Sequence, residues 1–526
     1  MMVRIAAIVA AGCLLTFSPV RAQHPSGHDK SAGHETAAEE KKGKPADKAD
    51  NKKEEITDKI SVTRHTVTIE GKEIKYTATA GKLVMRDDEG KAKALMFFIA
   101  YAKNGVKDLG QRPVTFAFNG GPGSSSVWLH LGLLGPKRVK LPGKPTPAAP
   151  PYALQDNPNS LLDITDLVFI DPVSTGFSRP AKGEKSEEFH GYEEDLRSVG
   201  QFIHDYVTKY GRWRSPKFLM GESYGGLRAA GLSGYLRDRY NMPQNGIVLV
   251  SPALNFETLA FAPGNDLPFI LFVPGYSATA WYHKALPGDL QVLPLEKVVK
   301  QATRFALTDY TLAMMQGQAL GGAERNAVAE KLARYTGLSK EYVLESNLRV
   351  SMQRFAKELL RERGRTVGRY DGRYTGIDAD SAGSTPEYDP SADAVFGLFT
   401  AAINDYLRSE LKFEDTHVYE VLTTNIHPWD YGYFHAHFPD ASNTLRASMS
   451  ADPYLKLFVA SGYFDLATPA AAVRYSVEHM RLPPELQKNI EYHVYEGGHM
   501  MYINDSALEQ LRKDLAAFYE KALKHK

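Results

Sequence analysis

The stretch KFLMGESYGGLRAAG, residues 217–231, decides the fold of this chain. A short apolar run typical of buried strands ends at Gly221, and a helical pattern starts at Tyr224. Between them, Ser223 lies in a Gly-x-Ser-x-Gly sequence, which on a sharp turn from strand to helix exposes a nucleophilic hydroxyl. The glycines fit this turn because side chains beside the strained serine would clash. We therefore predict that Ser223 is a nucleophile, and a plain packing turn is the alternative.

A serine hydroxyl needs a general base, and the C-terminal part of the chain offers one. His499 lies in a Gly-Gly-His-Met sequence directly after an apolar run, and Asp465 follows the run KLFVAS at 456–461. In hydrolases with a nucleophile turn of this kind, an acid and then a histidine follow the serine, each after a later strand. Because Asp465 and His499 have this order, we expect a triad in which the carboxylate orients the imidazole.

The predicted chemistry also needs two backbone N–H groups to stabilise a negative carbonyl oxygen. One is expected from Tyr224, the residue after the nucleophile. The other is expected from Gly121, in the sequence NGGPG at 119–123, which directly follows the apolar run VTFAF. A phosphate-binding loop is excluded here because the lysine and the serine or threonine of such loops do not follow.

Nearly continuous apolar runs recur along the chain, as in strands that are buried on both faces. From about residue 61, before these runs, alternating residues predict antiparallel strands. The sequence therefore predicts an α/β fold with a mostly parallel central sheet and helices on both faces. The buried runs lie at 114–118, 167–171, 217–221, 246–251, 456–461 and 490–496.

The strand-like runs largely stop between about residues 255 and 452, where helical spacing of apolar residues takes over. We interpret this block as a helical lid inserted into the sheet domain. The expected divisions are a signal peptide at 1–22, a disordered charged linker at 23–56, core at 57–255, lid at 256–452 and core at 453–526.

The N-terminus, MMVRIAAIVAAGCLLTFSPVRAQ, has the layout of a secretory signal peptide cleaved after Ala22. Its apolar stretch is too short to span a bilayer, so we expect an exported protein without a stable membrane span, either periplasmic or secreted. The only cysteine is Cys13, so the cleaved chain would hold no disulfide. Lipid modification of Cys13 is the competing interpretation.

Composition excludes other classes of function. The chain has 526 residues, is 43% hydrophobic and carries a net charge of +1 without a basic stripe, so nucleic-acid binding is not expected. Three histidines, His427, His435 and His437, lie among aromatic residues, but they lack the carboxylate pattern of a zinc site. We expect no metal and no cofactor, and the histidine stretch is predicted to line a substrate cleft or to pack under the insertion. The choice between monomer and homodimer stays open.

Several motifs together resemble the serine carboxypeptidase family of α/β-hydrolases, over nearly all of the chain from about Gly71. The resemblance implies a peptide substrate that loses its C-terminal residues. An esterase or acyltransferase using the same triad is one alternative, and a catalytically silent binding protein is another. The motifs are FNGGPGSSS at 118–126, NPNSLLDITDLVFIDPVSTGFS at 157–178, GESYGG at 221–226, the segment around Asp465 and GGHM at 497–500.

The resemblance also implies how a substrate carboxylate is bound. Family members use an Asn and two Glu side chains near a Trp, and Asn119 and Glu222 match the Asn and one Glu. Leu133 replaces the other Glu, Ala117 replaces the Trp, and Ser124 stands where a disulfide cysteine is usual. Glu222 can donate a hydrogen bond to a carboxylate only when it is protonated, so activity on free-acid peptides should be best at acidic pH. Alternatively, Glu222 only supports the turn that carries Ser223.

Overall fold

The computed structural model describes residues 55–524, and the expected signal peptide and nearly all of the expected linker lie outside them. The strands are β1 (Lys59–Ile69), β2 (Lys72–Arg86), β3 (Ala92–Lys103), β4 (Val114–Phe118), β5 (Lys137–Val139), β6 (Leu154–Asp156), β7 (Asp166–Ile170), β8 (Arg179–Pro180), β9 (Lys217–Glu222), β10 (Gly246–Val250), β11 (Thr366–Val367), β12 (Thr375–Gly376), β13 (Lys456–Gly462) and β14 (Ile490–Tyr495).

The central sheet has ten strands in the order β1-β2-β3-β7-β4-β9-β10-β13-β14, with β8 paired to β3. Strands β1, β2 and β3 pair antiparallel, whereas β7, β4, β9, β10, β13 and β14 pair parallel. Every residue of β4, β7, β9 and β10 is buried, which explains their continuous apolar sequences. The predicted mostly parallel sheet and its antiparallel start are confirmed.

The α-helices of the described residues are α1 (Tyr192–Lys209), α2 (Tyr224–Tyr240), α3 (Leu267–Leu271), α4 (Val273–Tyr282), α5 (Gly288–Gln291), α6 (Leu295–Phe305), α7 (Thr311–Gln316), α8 (Gly322–Thr336), α9 (Lys340–Glu345), α10 (Met352–Glu358), α11 (Pro390–Ser409), α12 (Ser442–Ala451), α13 (Ala470–Glu478), α14 (Pro484–Gln487) and α15 (Asp505–Leu523).

Helices cover both faces of the sheet, as two neighbouring residues of β4 demonstrate. Successive strand residues point to opposite faces. Phe116 packs its ring edge-on against Tyr206 of α1, with ring centroids 5.7 Å apart. Thr115 hydrogen-bonds through its hydroxyl to the Tyr519 hydroxyl of α15 over 2.7 Å. The prediction of helices on both faces is therefore confirmed.

The block between β10 and β13 contains helices α3 to α12 and the short strands β11 and β12. Apolar side chains between residues 270 and 367, together with Leu466 after β13, form a second cluster around Tyr276 and Phe355, whose rings stack with centroids 4.0 Å apart. Helix α11 differs, since Leu398 and Phe399 belong to the core of the sheet. Part of the block is thus built into the sheet domain. The boundaries expected at 256 and 452 stay a prediction.

The topology collects the predicted site residues at one edge of the sheet. The carboxyl ends of parallel strands share an edge, and Ser223, Asp465 and His499 follow β9, β13 and β14 there. The loop at 119–123 follows β4, the neighbour of β9. Across residues 55–524, no helix has both the length and the apolar surface needed to cross a bilayer.

Candidate active site

Ser223 is the single residue between β9 and α2. Its φ of 61° and ψ of −126° are rarely adopted by residues with side chains and cost about 1–3 kcal/mol. Glycine is required beside it, because a Cβ on Gly221 would lie 1.9 Å from the carbonyl oxygen of Gly225. The Ser223 N–H donates to the Val250 carbonyl over 3.1 Å, which fixes the turn to β10. The strand-turn-helix context predicted for Ser223 is present.

His499 and Asp465 form a buried pair. Asp465 Oδ2 lies 2.9 Å from His499 Nδ1, so the imidazole presents Nε2 to the rest of the site. The Thr468 hydroxyl donates to the same Oδ2 over 2.8 Å. The backbone N–H groups of Ala467 and Thr468 donate to Oδ1 over 2.8 and 2.9 Å. The carboxylate is therefore held in one orientation, and it fixes the imidazole.

The electrostatics of this pair favour the charged state of both partners. Burial alone would raise the pKa of Asp465, but the attraction and hydrogen bond of His499 outweigh it and leave the pKa below its usual value. Burial alone would lower the pKa of His499, but the Asp465 charge and hydrogen bond outweigh it and raise that pKa. The imidazole is thus prepared to accept a proton.

Ser223 and His499 lie at the same end of the sheet, after β9 and β14, and the end of β10 connects them. The Ser251 hydroxyl, at the end of β10, donates to the His499 carbonyl over 2.8 Å, while the preceding Val250 carbonyl accepts the Ser223 N–H. Among the hydrogen bonds of residues 55–524, none joins Ser223 Oγ to His499. In hydrolases without substrate this contact is often long and tightens on binding.

The glycine loop lies directly against the start of α2. A Cβ on Gly120 would come within 2.4 Å of the Tyr224 nitrogen, so only glycine permits this approach. Gly121 has a φ of 100°, which favours glycine as well. Within the described residues, the N–H groups of Gly121 and Tyr224 have no hydrogen-bond acceptor. Both are free for a ligand oxygen, as predicted for an oxyanion site.

A buried ion pair supports this loop. Arg228 of α2 donates from Nε to Asp195 Oδ2 of α1 over 2.7 Å and from Nη1 to the Asn119 carbonyl over 2.5 Å. Its guanidinium also lies 5.2 Å from the ring centroid of Tyr224. Arg228 therefore ties the glycine loop to the helix that follows the nucleophile. The sequence carries no signal for this link, since Asp195 and Arg228 meet only in the folded chain.

The structure brings Glu222 and Asn119 together, as the family resemblance implied. Glu222 is buried, and Tyr502 donates to its Oε2 over 2.6 Å. Burial raises the pKa of Glu222 to about 7, although attraction to His499 and hydrogen bonds from Tyr502 and Asn119 oppose the shift. Glu222 therefore changes protonation near neutral pH. Tyr502 was missed at the sequence level, where nothing distinguishes it from other core tyrosines.

The two replaced positions lie in the apolar core. Ala117 of β4 and Leu133 are fully buried members of the same cluster that fills the sheet. Asn119 Oδ1 accepts a hydrogen bond from the Leu129 N–H over 3.0 Å, which holds the amide beside Glu222. The second carboxyl and the indole of the family pattern are thus replaced by side chains that offer no hydrogen bond.

An arm from the inserted block, residues 368–374, packs on His499. The His499 N–H donates to the Tyr370 carbonyl over 2.5 Å, and the two rings stack with centroids 5.1 Å apart. Gly498 permits this approach, because a Cβ there would lie 2.3 Å from the Tyr370 oxygen. Sequence analysis missed this arm, since its only signal is a short polar and aromatic stretch between helices.

The histidine stretch lies near the oxyanion loop without forming a metal site. The Thr423 N–H donates to the Gly123 carbonyl over 3.0 Å, and the Trp429 ring packs edge-on to Tyr224 with centroids 5.7 Å apart. His435 pairs with Asp430 over 2.7 Å. Over the part of the chain that the structure describes, no three His, Cys, Asp or Glu side chains are placed to hold a metal ion.

Comparison with known proteins gives a family and a fold. The model of the family "Serine carboxypeptidase" matches residues 72–512, which is most of the chain. The crystal structure of the prohormone-processing carboxypeptidase KEX1(delta)p from Saccharomyces cerevisiae is similar over 84% of this chain and 91% of that one, with a TM-score of 0.52 and 16% identity. This likeness confirms the predicted α/β-hydrolase fold.

Curated relatives match over shorter stretches. Pheromone-processing carboxypeptidase KEX1 of Saccharomyces cerevisiae is 32% identical over 158 residues, 28% of this chain and 20% of its own length. Serine carboxypeptidase-like 20 of Arabidopsis thaliana is 31% identical over 180 residues, 34% of this chain and 33% of its own length. The chain thus spans between a fifth and a third of these relatives.

Proposed function

The chain belongs to the serine carboxypeptidase family, and from this membership we propose that it releases C-terminal residues from peptides through an acyl-enzyme. One observation carries the proposal: the buried His499–Asp465 pair lies at the same sheet edge as Ser223 on its strained turn. This arrangement supplies the nucleophile, the base and the orienting acid that acyl transfer by a serine enzyme uses.

In the first half-reaction, Ser223 Oγ attacks the scissile carbonyl carbon and His499 Nε2 takes the hydroxyl proton. Negative charge moves to the carbonyl oxygen, where the N–H groups of Gly121 and Tyr224 stabilise it. Each such donor contributes about a factor of 100 to 1000 in rate. Asp465 stabilises the imidazolium that forms.

To complete this acylation, the imidazolium gives its proton to the leaving amine as the carbon–nitrogen bond breaks. The released amino acid departs and the peptide stays attached to Ser223 as an ester. Water then attacks this ester with His499 as base, and the serine hydroxyl is restored. No step requires a metal or a cofactor.

Glu222 and Asn119 support the part of the proposal that concerns C-terminal residues. A protonated Glu222 and the Asn119 amide can both donate hydrogen bonds to a carboxylate. The raised pKa of Glu222, about 7, keeps it protonated in acidic solution. Both groups lie beside Ser223, where the last residue of a bound peptide would extend.

The deciding experiment is mass spectrometry of peptides supplied as free acids and as C-terminal amides, with S223A protein as control. Stepwise loss of C-terminal residues from the acids, absent with S223A, is the expected result. Labelling of Ser223 by a fluorophosphonate tests the nucleophile separately. Unlabelled protein whose S223A form still binds the same ligand would contradict the proposal and favour a binding protein.

Leu133 and Ala117 favour one alternative, an esterase or acyltransferase with the same triad. Neither side chain offers the hydrogen bond that the family pattern places there. Under this alternative, simple esters are cleaved with the S223A control inactive, while acid and amide peptides both stay intact. That pattern would replace the carboxypeptidase proposal.

We also propose that helices α3 to α10, between β10 and β13, act as a lid on the cleft. Their apolar cluster, to which Leu466 also belongs, supports this role, because a lid needs a core that holds its helices together as a unit. A phosphonate bound to Ser223 should then slow hydrogen exchange in α3 to α10. Unchanged exchange in these helices would contradict the lid.

Export is a further part of the proposal. Residues 1–22 have the composition of a signal peptide, which supports export of the mature protein to the periplasm or out of the cell. N-terminal sequencing of the processed protein should begin at Gln23. A mature N-terminus at Cys13 with an attached lipid would favour the competing anchor instead.

A further inference from the structure

Arg369 is a cation that the inserted block brings to the triad. Its backbone is fixed on both sides: its N–H donates to Asp389 Oδ1 over 3.0 Å, and its carbonyl accepts from the Leu466 N–H over 3.0 Å. Leu466 directly follows Asp465, and the next residue of the arm, Tyr370, stacks on His499. The main chain of Arg369 therefore holds a set position beside the catalytic pair.

The guanidinium of Arg369 has no carboxylate partner within residues 55–524. Its carbon lies 5.3 Å from the ring centroid of Tyr370, and the side chain is only half-buried. Asp389 is nearby, but its oxygens accept the backbone N–H groups of Arg369 and Tyr370. Arg373 in the same arm is the contrast, since Asp371 binds its guanidinium over 2.6 and 2.9 Å.

The guanidinium of Arg369 is close to the triad through Tyr370, because it lies over the ring that stacks on His499. Burial raises the pKa of the Tyr370 hydroxyl, whereas the charge of the Arg369 guanidinium and a hydrogen bond between the two side chains lower it. The same guanidinium opposes protonation of His499. An unpaired cation here hinders the imidazolium that catalysis needs, unless a bound anion offsets its charge.

A peptide substrate carries such an anion at the required place. The leaving nitrogen must come within hydrogen-bond distance of His499 Nε2 to receive its proton. The α-carboxylate of a C-terminal residue is joined to that nitrogen through a single carbon, so it must lie close to His499 as well. Arginine suits this task because its planar fork binds carboxylates through two parallel hydrogen bonds.

Resting on the proposed carboxypeptidase function, we propose that Arg369 binds the α-carboxylate of the C-terminal residue and determines specificity for free-acid peptides. It supplies a charged contact in a site where Asn119 and protonated Glu222 are neutral donors and Leu133 offers no hydrogen bond. Arg369 acts together with Asn119 and Glu222, and it brings a positive charge that stays fixed when Glu222 titrates.

The test compares R369Q, R369K and wild-type protein on benzyloxycarbonyl-Phe-Leu as free acid and as amide. For R369Q, the ratio of kcat/KM for acid over amide should fall by about 10- to 100-fold, mainly through KM, because a charge-assisted hydrogen bond is lost. R369K should restore part of the ratio. R365Q, at an exposed position earlier in the same segment, is the matched control and should keep the wild-type ratio.

A charge-reversal variant gives a second test of the proposal. R369E should prefer a peptide ending in a positively charged 2-aminoethylamide over the free acid. An unchanged acid-to-amide ratio in R369Q, or an effect confined to peptides with acidic C-terminal side chains, would overturn the proposal for Arg369. In that case continued trimming by the variant would leave the carboxypeptidase function intact. Absence of any Ser223-dependent hydrolysis in wild-type protein would overturn both.

Discussion

Tyr502 donates a hydrogen bond of 2.6 Å to Glu222, the residue directly before the nucleophile. The acceptor is a fully buried carboxyl with a pKa of about 7, so this bond is strongest when Glu222 is ionised. Below that pH the same carboxyl carries a proton and can donate a hydrogen bond to a ligand. The Tyr502–Glu222 pair therefore connects the hydrogen bonding of the substrate site to pH.

The acid-to-ester activity ratio should fall as pH rises, with a midpoint near 7. The protonated form of Glu222 exists below its pKa of about 7 and is lost above it. Cleavage of both substrates needs neutral His499, so the titration of His499 cancels in the ratio. Only the acid substrate also needs the carboxylate contact. Kinetics from pH 4 to 9 measure the ratio. E222Q should abolish the fall, and a fall of the same size in E222Q would contradict the role given to Glu222.

Y502F should move this midpoint upward. The hydroxyl stabilises ionised Glu222, and a hydrogen bond of this kind contributes about 1 kcal/mol, or somewhat less than one pH unit. The pH profile of the acid-to-ester ratio measures the shift. Y495F is the control, because Tyr495 bonds to Asp514 away from the site. Identical midpoints in the two variants would show that Tyr502 does not act on Glu222.

D195N should destabilise the fold and slow catalysis together. It leaves Arg228 buried beside a neutral partner, and breaking a buried ion pair in this way costs about 3–5 kcal/mol. Arg228 also holds the Asn119 carbonyl, so the oxyanion loop loses its support. Urea denaturation and ester turnover measure the two effects.

R237A is the comparison for D195N. The Arg237–Asp238 pair lies on the solvent side of the same helix, α2, and exposed pairs contribute little. R237A should therefore leave both the denaturation midpoint and the turnover near wild type. Equal losses in R237A and D195N would argue against a special role for the buried pair.

G120A should reduce kcat and also lower the stability of the fold, because the added Cβ would meet backbone atoms. The added Cβ would lie 2.4 Å from the Tyr224 nitrogen, so the glycine loop must move away from the oxyanion site. Loss of one donor corresponds to a fall of about 100- to 1000-fold. Ester and peptide turnover should fall alike. G322A, where a Cβ meets no atom within 4 Å, serves as the control. Turnover in G120A within a few-fold of wild type would exclude this geometry.

Local pattern was enough to predict much of the architecture. The continuous apolar runs correspond to β4, β7, β9, β10 and β13, because strands buried on both faces admit few polar residues. The segment at 490–496 forms β14, most of whose residues are only half-buried. The position of Ser223 followed from its flanking glycines, and those of Asp465 and His499 from their order after later strands. Each of these signals lies within a few neighbouring residues.

The contacts that support the site could not be predicted from local sequence patterns. Arg228 with Asp195, Tyr502 with Glu222, and Tyr370 with His499 are contacts between residues far apart in sequence. Their residue types are common in cores and loops, so no spacing marks them. The packing of α11 into the sheet core was likewise hidden, since its apolar spacing is the same as that of a lid helix.

The hydrogen bond from the His499 backbone to Tyr370 makes the order of assembly matter. Tyr370 belongs to a block that interrupts the sheet domain, so the histidine gains its final surroundings only after both parts have folded and met. A chain still folding would then be unable to digest its neighbours, and the enzyme would become active last. Fluorophosphonate labelling during refolding should accordingly lag behind the recovery of secondary structure, and simultaneous recovery would rule out such a delay.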